Sequence, residues 1–114
     1  MTTFRPGDVV LVHFPFTDLS STNKRPALVL SPAAYAAKHG DVVVLALTSQ
    51  PQPDSSLLLR NWRNAGLPMP TWLKPVIGTL SSRLVVRRLG RLAMPDQQRV
   101  RPALIQAIAD RFLR

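Results

Sequence analysis

The hydrophobic pattern in the first half of the chain is a series of short β-branched and aliphatic runs separated by polar turn formers. Three runs predict β-strands, and they lie at residues 8–14 (DVVLVHF), 27–31 (ALVLS) and 41–48 (DVVVLALT). Residues 15–25 predict a loop, and residues 32–40 predict one helical turn or a loop closed by Gly40. The third run is apolar throughout 42–47, which indicates that both faces of that strand are covered.

The second half is less regular and ends in a predicted helix. A proline-rich break at 50–56 and an irregular segment at 61–75 interrupt the weaker strand signals of this half. Residues 57–60 predict a short strand, and residues 76–80 and 83–92 predict two further short strands or a strand and a turn. From residue 94 onward apolar residues recur at every fourth position, as on one face of a helix; they are Val100, Leu104, Ile108 and Phe112. Pro95 and Asp96 suit a helix start, whereas Pro102 predicts a kink or a later start, because it removes an internal hydrogen bond.

This order of elements predicts one domain over residues 1–114. Five or six short strands with early turns, followed by one helix, favour a mostly β fold. We expect a small, curled, mainly antiparallel β-barrel closed by a C-terminal helix. Such barrels carry many functions, so the side chains must decide between them.

The charge of the chain is strongly asymmetric. Lysine and arginine number 15 against 6 acidic residues, a net charge of +9. Residues 1–59 balance four basic against four acidic side chains, and residues 60–114 hold eleven basic side chains against two, so the second half carries the whole excess. This suggests a polyanionic partner, either nucleic acid or an acidic protein segment. The plainer alternative is a compositional bias toward arginine.

Several classes of site are excluded or unsupported by composition. Cysteine and glutamate are absent and the aspartates are scattered, so we predict no metal site and no cofactor. The chain has no GxSxG motif and no glycine-rich phosphate loop. No apolar run approaches the roughly 18 residues of a membrane span, and the opening MTTFRPGD has no apolar signal region. We therefore expect a cytoplasmic protein without a membrane partner.

The remaining chemistry rests on cations and hydroxyls. The second strand begins at Arg25, and the third ends with Thr48, Ser49 and Gln50. If the two strands are neighbours, Arg25 and Thr48 can share one rim of the barrel. A guanidinium and a hydroxyl suit RNA cleavage by the 2′-hydroxyl, because charge develops on the phosphoryl oxygens. The alternative is a solvated loop cation and an ordinary strand-end threonine.

The same segments resemble the MazF/PemK family of bacterial toxins. The motifs are 7-GDVVLVHFPF-16, 24-KRPALVLSP-32 and 42-VVVLALTSQ-50, in the order and spacing of the family, with a similar second half at 62–92. The resemblance implies a small SH3-like antiparallel barrel of the MazF/PemK/CcdB type that forms a homodimer. It also implies the toxin of a type II toxin–antitoxin system, a metal-independent endoribonuclease (an mRNA interferase) that leaves a 2′,3′-cyclic phosphate on single-stranded RNA.

The resemblance also implies residue roles and partners. Arg25 and Thr48 match the family's catalytic arginine and threonine, with Lys24, Ser49 and Gln50 along the RNA path. The implied protein partner is an antitoxin with an acidic tail, and DNA is contacted only through the antitoxin complex.

The chain departs from the family pattern in its acidic residues. The first loop, 17–23, lacks the glutamate of many members, and the stretch 70–75 lacks the Arg-x-Asp segment of the PemK branch. The general base is therefore open between His13 and Asp18.

Two further points stay open from the sequence. Aromatic platforms for unstacked RNA bases could come from Phe16, Trp62 and Trp72, although each also suits a core or an interface.

The alternative function is a non-catalytic module on the same fold that docks an acidic protein partner or inhibits a protein target. A third interpretation takes the basic second half as an RNA-binding surface alone.

Overall fold

The computed structural model describes residues 3–13 and 24–112, with side chains of the last helix described to residue 106 and at residue 109. Within this part of the chain, one antiparallel sheet has the strand order β4-β3-β2-β1-β5. The strands are β1 (Asp8–His13), β2 (Lys24–Val29), β3 (Asp41–Thr48), β4 (Trp72–Ser81) and β5 (Val85–Arg91), and the helices are α1 (Ala33–His39) and α2 (Met94–Phe112). The predicted class, mostly β with a C-terminal helix, is confirmed.

The sheet is curled by irregularities in its outer ladders. The β1–β5 register shifts twice, and the β3–β4 register shifts between Leu45, which lies opposite Ile77, and Leu47, which lies opposite Leu73. Such bulges increase the local twist and bend a strand. In the described residues β4 and β5 are not paired, so the expected barrel is a strongly curled sheet that is not closed by a ladder.

Both faces of the central strands are buried. One face packs under residues 57–73 and helix α2, in a cluster that includes Val9, Leu28 and Leu45. The other face forms a second cluster with Val10 and Val44 among its members. This two-sided burial is the reason that residues 42–47 are continuously apolar, as the sequence predicts.

Several element boundaries differ from the prediction. Strand β2 begins at Lys24, three residues before the predicted start, and includes Pro26. Its ladder to β3 starts only at Ala27, because Pro26 has no backbone N–H to donate. The predicted strand at 57–60 is wrong, because Ser55–Leu57 is a 3₁₀ turn and only one bridge, from Leu58 to Trp72, follows it.

The second half is also more regular than predicted. The segment 61–75 is irregular only as far as residue 71, since β4 begins at Trp72 and continues past Pro75. The runs 76–80 and 83–92 correspond to β4 and β5, and a 3₁₀ turn at Ser82–Leu84 separates these two strands. Helix α2 begins at Met94, so the later start is wrong, and Pro102 lies inside the helix. Val100 and Leu104 pack on the core, and the side chains of residues 108 and 112 lie outside the described residues.

Two buried carboxylates connect the elements. Asp96, in the first turn of α2, is 1% exposed and accepts the backbone N–H groups of Arg60 (3.0 Å) and Asn61 (2.8 Å). The Arg99 guanidinium donates to the same carboxylate (3.2 Å) and to the Leu58 carbonyl oxygen (3.1 Å). These bonds fix the start of α2 against the segment that follows β3.

Asp8 has the equivalent role at the other edge of the sheet. Its carboxylate is buried, accepts the Arg5 N–H (3.1 Å), and pairs with the guanidinium of Arg91 at 3.0 Å and of Arg88 at 3.8 Å. The acid at the start of β1 thus pairs with two of the basic side chains of β5.

Candidate active site

Strands β2 and β3 are neighbours, as the proposed chemistry requires. Their ladder pairs Ala27 with Ala46, and extending this register by two residues beyond the observed ladder places Arg25 opposite Thr48. Both residues line one cavity of about 610 Å³ that opens to solvent. The conditional prediction from the sequence, that they share a rim if the strands are adjacent, therefore holds geometrically.

The cavity combines a cationic rim with an apolar interior. Its basic lining residues are Lys24, Arg25, Lys74 and Arg87. Its hydroxyl and amide side chains are Thr48, Ser49, Gln50 and Thr71, and its apolar lining is Leu11, Pro26, Ala46, Leu47, Leu67, Pro68, Met69 and Leu89. No acidic residue of the described chain lines it. A space of this size is typical of a small-ligand site, and its charge selects for an anion.

Thr48 is held in a defined orientation. Its Oγ1 accepts the backbone N–H of Gln50 at 3.1 Å, in a turn that ends β3. A hydroxyl has one donor hydrogen in addition to its lone pairs, so the O–H of Thr48 can still donate toward the cavity. Ser49 and Gln50, which follow in the same turn, line the cavity beside it.

Arg25 and Lys24 project from a strand rather than from a loop. Both belong to β2 and are exposed, and Arg25 lies opposite the fully buried Val12 of β1. The backbone that carries the guanidinium is thus part of a ladder anchored on a packed residue. Such anchoring limits the reorganisation needed to meet a phosphate.

The far wall of the cavity comes from the irregular segment after β3. A compact turn, closed by backbone bonds such as Gly66 N–H to the Arg63 carbonyl (3.0 Å), brings residues 66–69 over the sheet. Gly66 has φ +77°, and a Cβ there would lie 2.1 Å from the Leu89 carbonyl oxygen. Gly90 meets the same turn from the other side, with Ala65 backbone atoms 2.6 Å from an ideal Cβ. Only glycines permit this contact with β5.

The remaining predicted residues are distributed differently. Lys24, Ser49 and Gln50 line the cavity with Arg25 and Thr48. His13 is half-buried at the end of β1, opposite Lys24, and is not among the lining residues. Asp18 and Phe16 lie outside the described residues.

Trp62 and Trp72 are packed against the core and do not line the cavity. The Trp62 ring also lies 4.9 Å from the Arg63 guanidinium. The core alternative is therefore the observed placement of both tryptophans.

Sequence reasoning missed all eight lining residues from the second half, among them the cations Lys74 and Arg87. The charge excess of residues 60–114 was the only signal for the two cations. It could not separate Arg87, which faces the cavity, from Arg88, which lies near Asp8.

Two kinds of feature are absent from the described residues. No group of three or more His, Cys, Asp or Glu side chains there could hold a metal ion. In the same part of the chain, no helix is long and apolar enough to cross a membrane.

Comparisons with known proteins agree with the fold. The family model described as "PemK-like, MazF-like toxin of type II toxin-antitoxin system" matches residues 5–108. No curated protein sequence matches the chain at a significant level.

Solved structures give similarity along nearly the whole chain. A MazE–MazF crystal structure from Deinococcus radiodurans is 24% identical, with a TM-score of 0.74 over 95% of this chain and 98% of that chain. An endoribonuclease in complex with its cognate antitoxin, from a mycobacterial species, is 20% identical, with a TM-score of 0.73 over 93% and 95% of the two chains. At such identities the similarity establishes a shared fold.

Proposed function

The chain belongs to the PemK-like, MazF-like family of toxins of type II toxin–antitoxin systems, and we propose that it is a metal-independent endoribonuclease acting on single-stranded mRNA in the cytoplasm. One observation carries the proposal: Arg25 and Thr48 both line a solvent-open cavity whose described charged lining residues are all basic. A mycobacterial protein of similar fold is named an endoribonuclease.

The proposed reaction is an internal transesterification. The 2′-oxygen of the RNA forms a bond to the adjacent phosphorus, and the bond from phosphorus to the 5′-oxygen of the next nucleotide breaks. The products are a 2′,3′-cyclic phosphate and a 5′-hydroxyl. The nucleophile belongs to the substrate, so the protein has to orient the phosphate and stabilise its developing charge.

Arg25 and Thr48 supply that stabilisation. The guanidinium is permanently charged and can donate two parallel hydrogen bonds to phosphoryl oxygens. The Thr48 hydroxyl, whose oxygen is already bonded to the Gln50 N–H, donates a further bond. A guanidinium can thus take the charge-neutralising role that a metal ion has in many nucleases.

The general base remains a choice between His13 and Asp18. His13 ends β1 directly opposite Lys24, which lines the cavity. The variants His13→Gln and Asp18→Asn separate the two, because only loss of the true base removes the acidic limb of the pH–rate profile.

The proposed protein partner is an antitoxin with an acidic tail. Four basic residues around one cavity attract such a segment. This chain is also similar in fold to a chain of the solved MazE–MazF structure and to a chain of an endoribonuclease solved in complex with its cognate antitoxin. We further propose a homodimer that reaches DNA only through the antitoxin complex.

The decisive experiment is cleavage of a long single-stranded RNA with EDTA present. We expect discrete fragments with cyclic phosphate ends, and a rate loss of about 10²–10³ for Arg25→Ala, as for removal of a transition-state donor. Thr48→Val, which removes only the hydroxyl, should lose about tenfold or more. Arg83→Ala, which removes an exposed arginine beyond the far end of β4, is the control and should keep the wild-type rate.

The alternative of a non-catalytic module is tested by the same variants. If Arg25→Ala and Thr48→Val leave toxicity in growing cells intact, the nuclease proposal fails. Absence of cleavage by the wild-type protein across several RNAs would contradict it equally, and binding of an acidic protein segment would then become the leading function.

A further inference from the structure

Two cations in the cavity lie away from Arg25 and Thr48, on the two outer strands of the sheet. Arg87 belongs to β5 and Lys74 to β4. Both line the cavity, and neither makes an ion pair with a carboxylate of the described residues. The neighbouring Arg88 and Arg91, by contrast, are engaged with Asp8.

The strand register gives these cations an order across the sheet. Arg87 lies opposite Leu11, and Leu11 lies opposite Pro26. One residue beyond the observed β2–β3 ladder, Pro26 lies opposite Leu47, which pairs with Leu73. Lys74 is the next residue after Leu73.

The order gives approximate separations. Adjacent strands are about 4.8 Å apart, so Arg87 and Lys74 each lie about 10 Å from β2 along the sheet, in opposite directions. The Arg25–Thr48 pair is thus flanked by one cation on each side.

We propose that single-stranded RNA crosses the strands from β5 to β4, and that Arg87 and Lys74 bind the phosphates on either side of the scissile one. This inference rests on the proposed function, and it assigns two binding residues to the same site. An RNA strand fits the arrangement because its charges recur at intervals along an extended backbone. The apolar wall of Leu67, Met69 and Leu89 can receive bases that are not stacked.

The experiment compares Arg87→Gln and Lys74→Gln with the control Arg83→Gln, which removes the same charge beyond the far end of β4. Substrates are a long RNA and a dinucleoside monophosphate, whose only phosphate is the scissile one. We expect each cavity variant to lower kcat/KM on the long RNA by about tenfold and to lower cleavage of the dinucleotide much less, because the dinucleotide has no phosphate beside the scissile one. Arg25→Ala should reduce cleavage of both substrates.

Binding of an uncleavable RNA, with 2′-O-methyl groups throughout, supplies a second measurement that needs no turnover. Each phosphate contact contributes about 0.7 to the slope of log affinity against log salt for a single strand. Each cavity variant should therefore flatten the slope by about 0.7, and the double variant by about 1.4, because the two contacts are far apart and independent. Arg83→Gln should leave the slope unchanged.

The outcomes distinguish the inference from the function on which it rests. Equal effects of Arg83→Gln and the cavity variants would overturn the inference and indicate diffuse attraction. Slopes that are not additive would also overturn it, since the two cations would then share a phosphate. If the variants weaken binding of a polyglutamate peptide but not of RNA, the cations serve an acidic protein partner instead. Loss of the proposed function would appear separately, as cleavage that survives Arg25→Ala.

Discussion

The contact between the cavity wall and β5 makes a sharp prediction about three glycines. Gly66 has φ +77° and would place a Cβ 2.1 Å from the Leu89 carbonyl oxygen. Gly40, which ends α1, has nearly the same backbone conformation (φ +70°) but nothing within 4 Å of its ideal Cβ. Gly90 has no positive φ, but its Cβ would lie 2.6 Å from Ala65 backbone atoms. Alanine at the three positions therefore separates backbone strain from steric contact.

The magnitudes follow from the two terms. Left-handed backbone costs a residue with a Cβ about 1–2 kcal/mol, which is the expected destabilisation for Gly40→Ala. Overpacking that displaces backbone costs about 1–3 kcal/mol, which is the expectation for Gly90→Ala. Gly66→Ala combines both terms, so we expect it to lower the free energy of unfolding by about 2–5 kcal/mol.

Urea unfolding followed by circular dichroism measures these losses. The urea midpoint should fall least for Gly40→Ala and Gly90→Ala and most for Gly66→Ala. The slope m should not change. A Gly66→Ala protein that is unfolded without urea agrees with the high end of the range. A Gly66→Ala protein as stable as Gly40→Ala would refute the reasoning, because it would mean that the turn and β5 are not locked together.

Two further predictions concern carboxylates. Asp96→Ala should lower the free energy of unfolding by about 3–5 kcal/mol, because two backbone N–H groups and the Arg99 guanidinium lose their acceptor. Asp54→Ala, at an exposed carboxylate, is the control. A similar loss of stability for both variants would contradict the structural role of Asp96. Hydrogen bonds from the Ser56 hydroxyl and N–H hold the pKa of Asp54 below its ordinary value. The ionised carboxylate therefore stabilises the fold at pH values above that ordinary pKa, and this stabilisation is lost as pH falls through the folded pKa. An NMR titration should show that Ser56→Ala raises the pKa of Asp54, and an unchanged pKa would refute this cause.

Local patterns were sufficient for β3, which is buried on both faces. The bounds of β3 agree with the predicted 41–48, because continuous burial leaves a continuous apolar run. The proximity of Arg25 and Thr48 was also predictable from the sequence. Each residue lies at the end of an apolar run, and adjacent antiparallel strands bring those ends together.

The leucines at 57–59 show where local patterns fail. Leu57 and Leu59 are buried by residues distant in sequence, including Val100 of α2, rather than by a ladder. A capping aspartate, Asp54, whose Oδ1 accepts the Ser56 N–H at 2.9 Å, starts a 3₁₀ turn in the same stretch. An apolar run therefore reports burial, and the hydrogen-bond partners of the backbone decide whether it becomes a strand.

The second half of the site depends on long-range geometry. Arg87 and Arg88 are adjacent and chemically identical, and only the register with β1 directs one to the cavity and the other toward Asp8. Lys74 reaches the cavity where the β3–β4 register shifts. No pattern within either strand encodes these placements, which arise from the curl of the whole sheet.

The same partition of charge limits how the protein meets RNA. Arg88, Arg91 and Arg99 pair with buried carboxylates and stabilise the fold, so the eleven basic residues of the second half overstate the number of cations available to a ligand. If binding used all eleven basic residues of the second half, the salt slope would be about −8, whereas four cavity cations give about −3. The shallower slope is what a cavity-centred site requires, and a slope near −8 would place RNA across a broad surface instead.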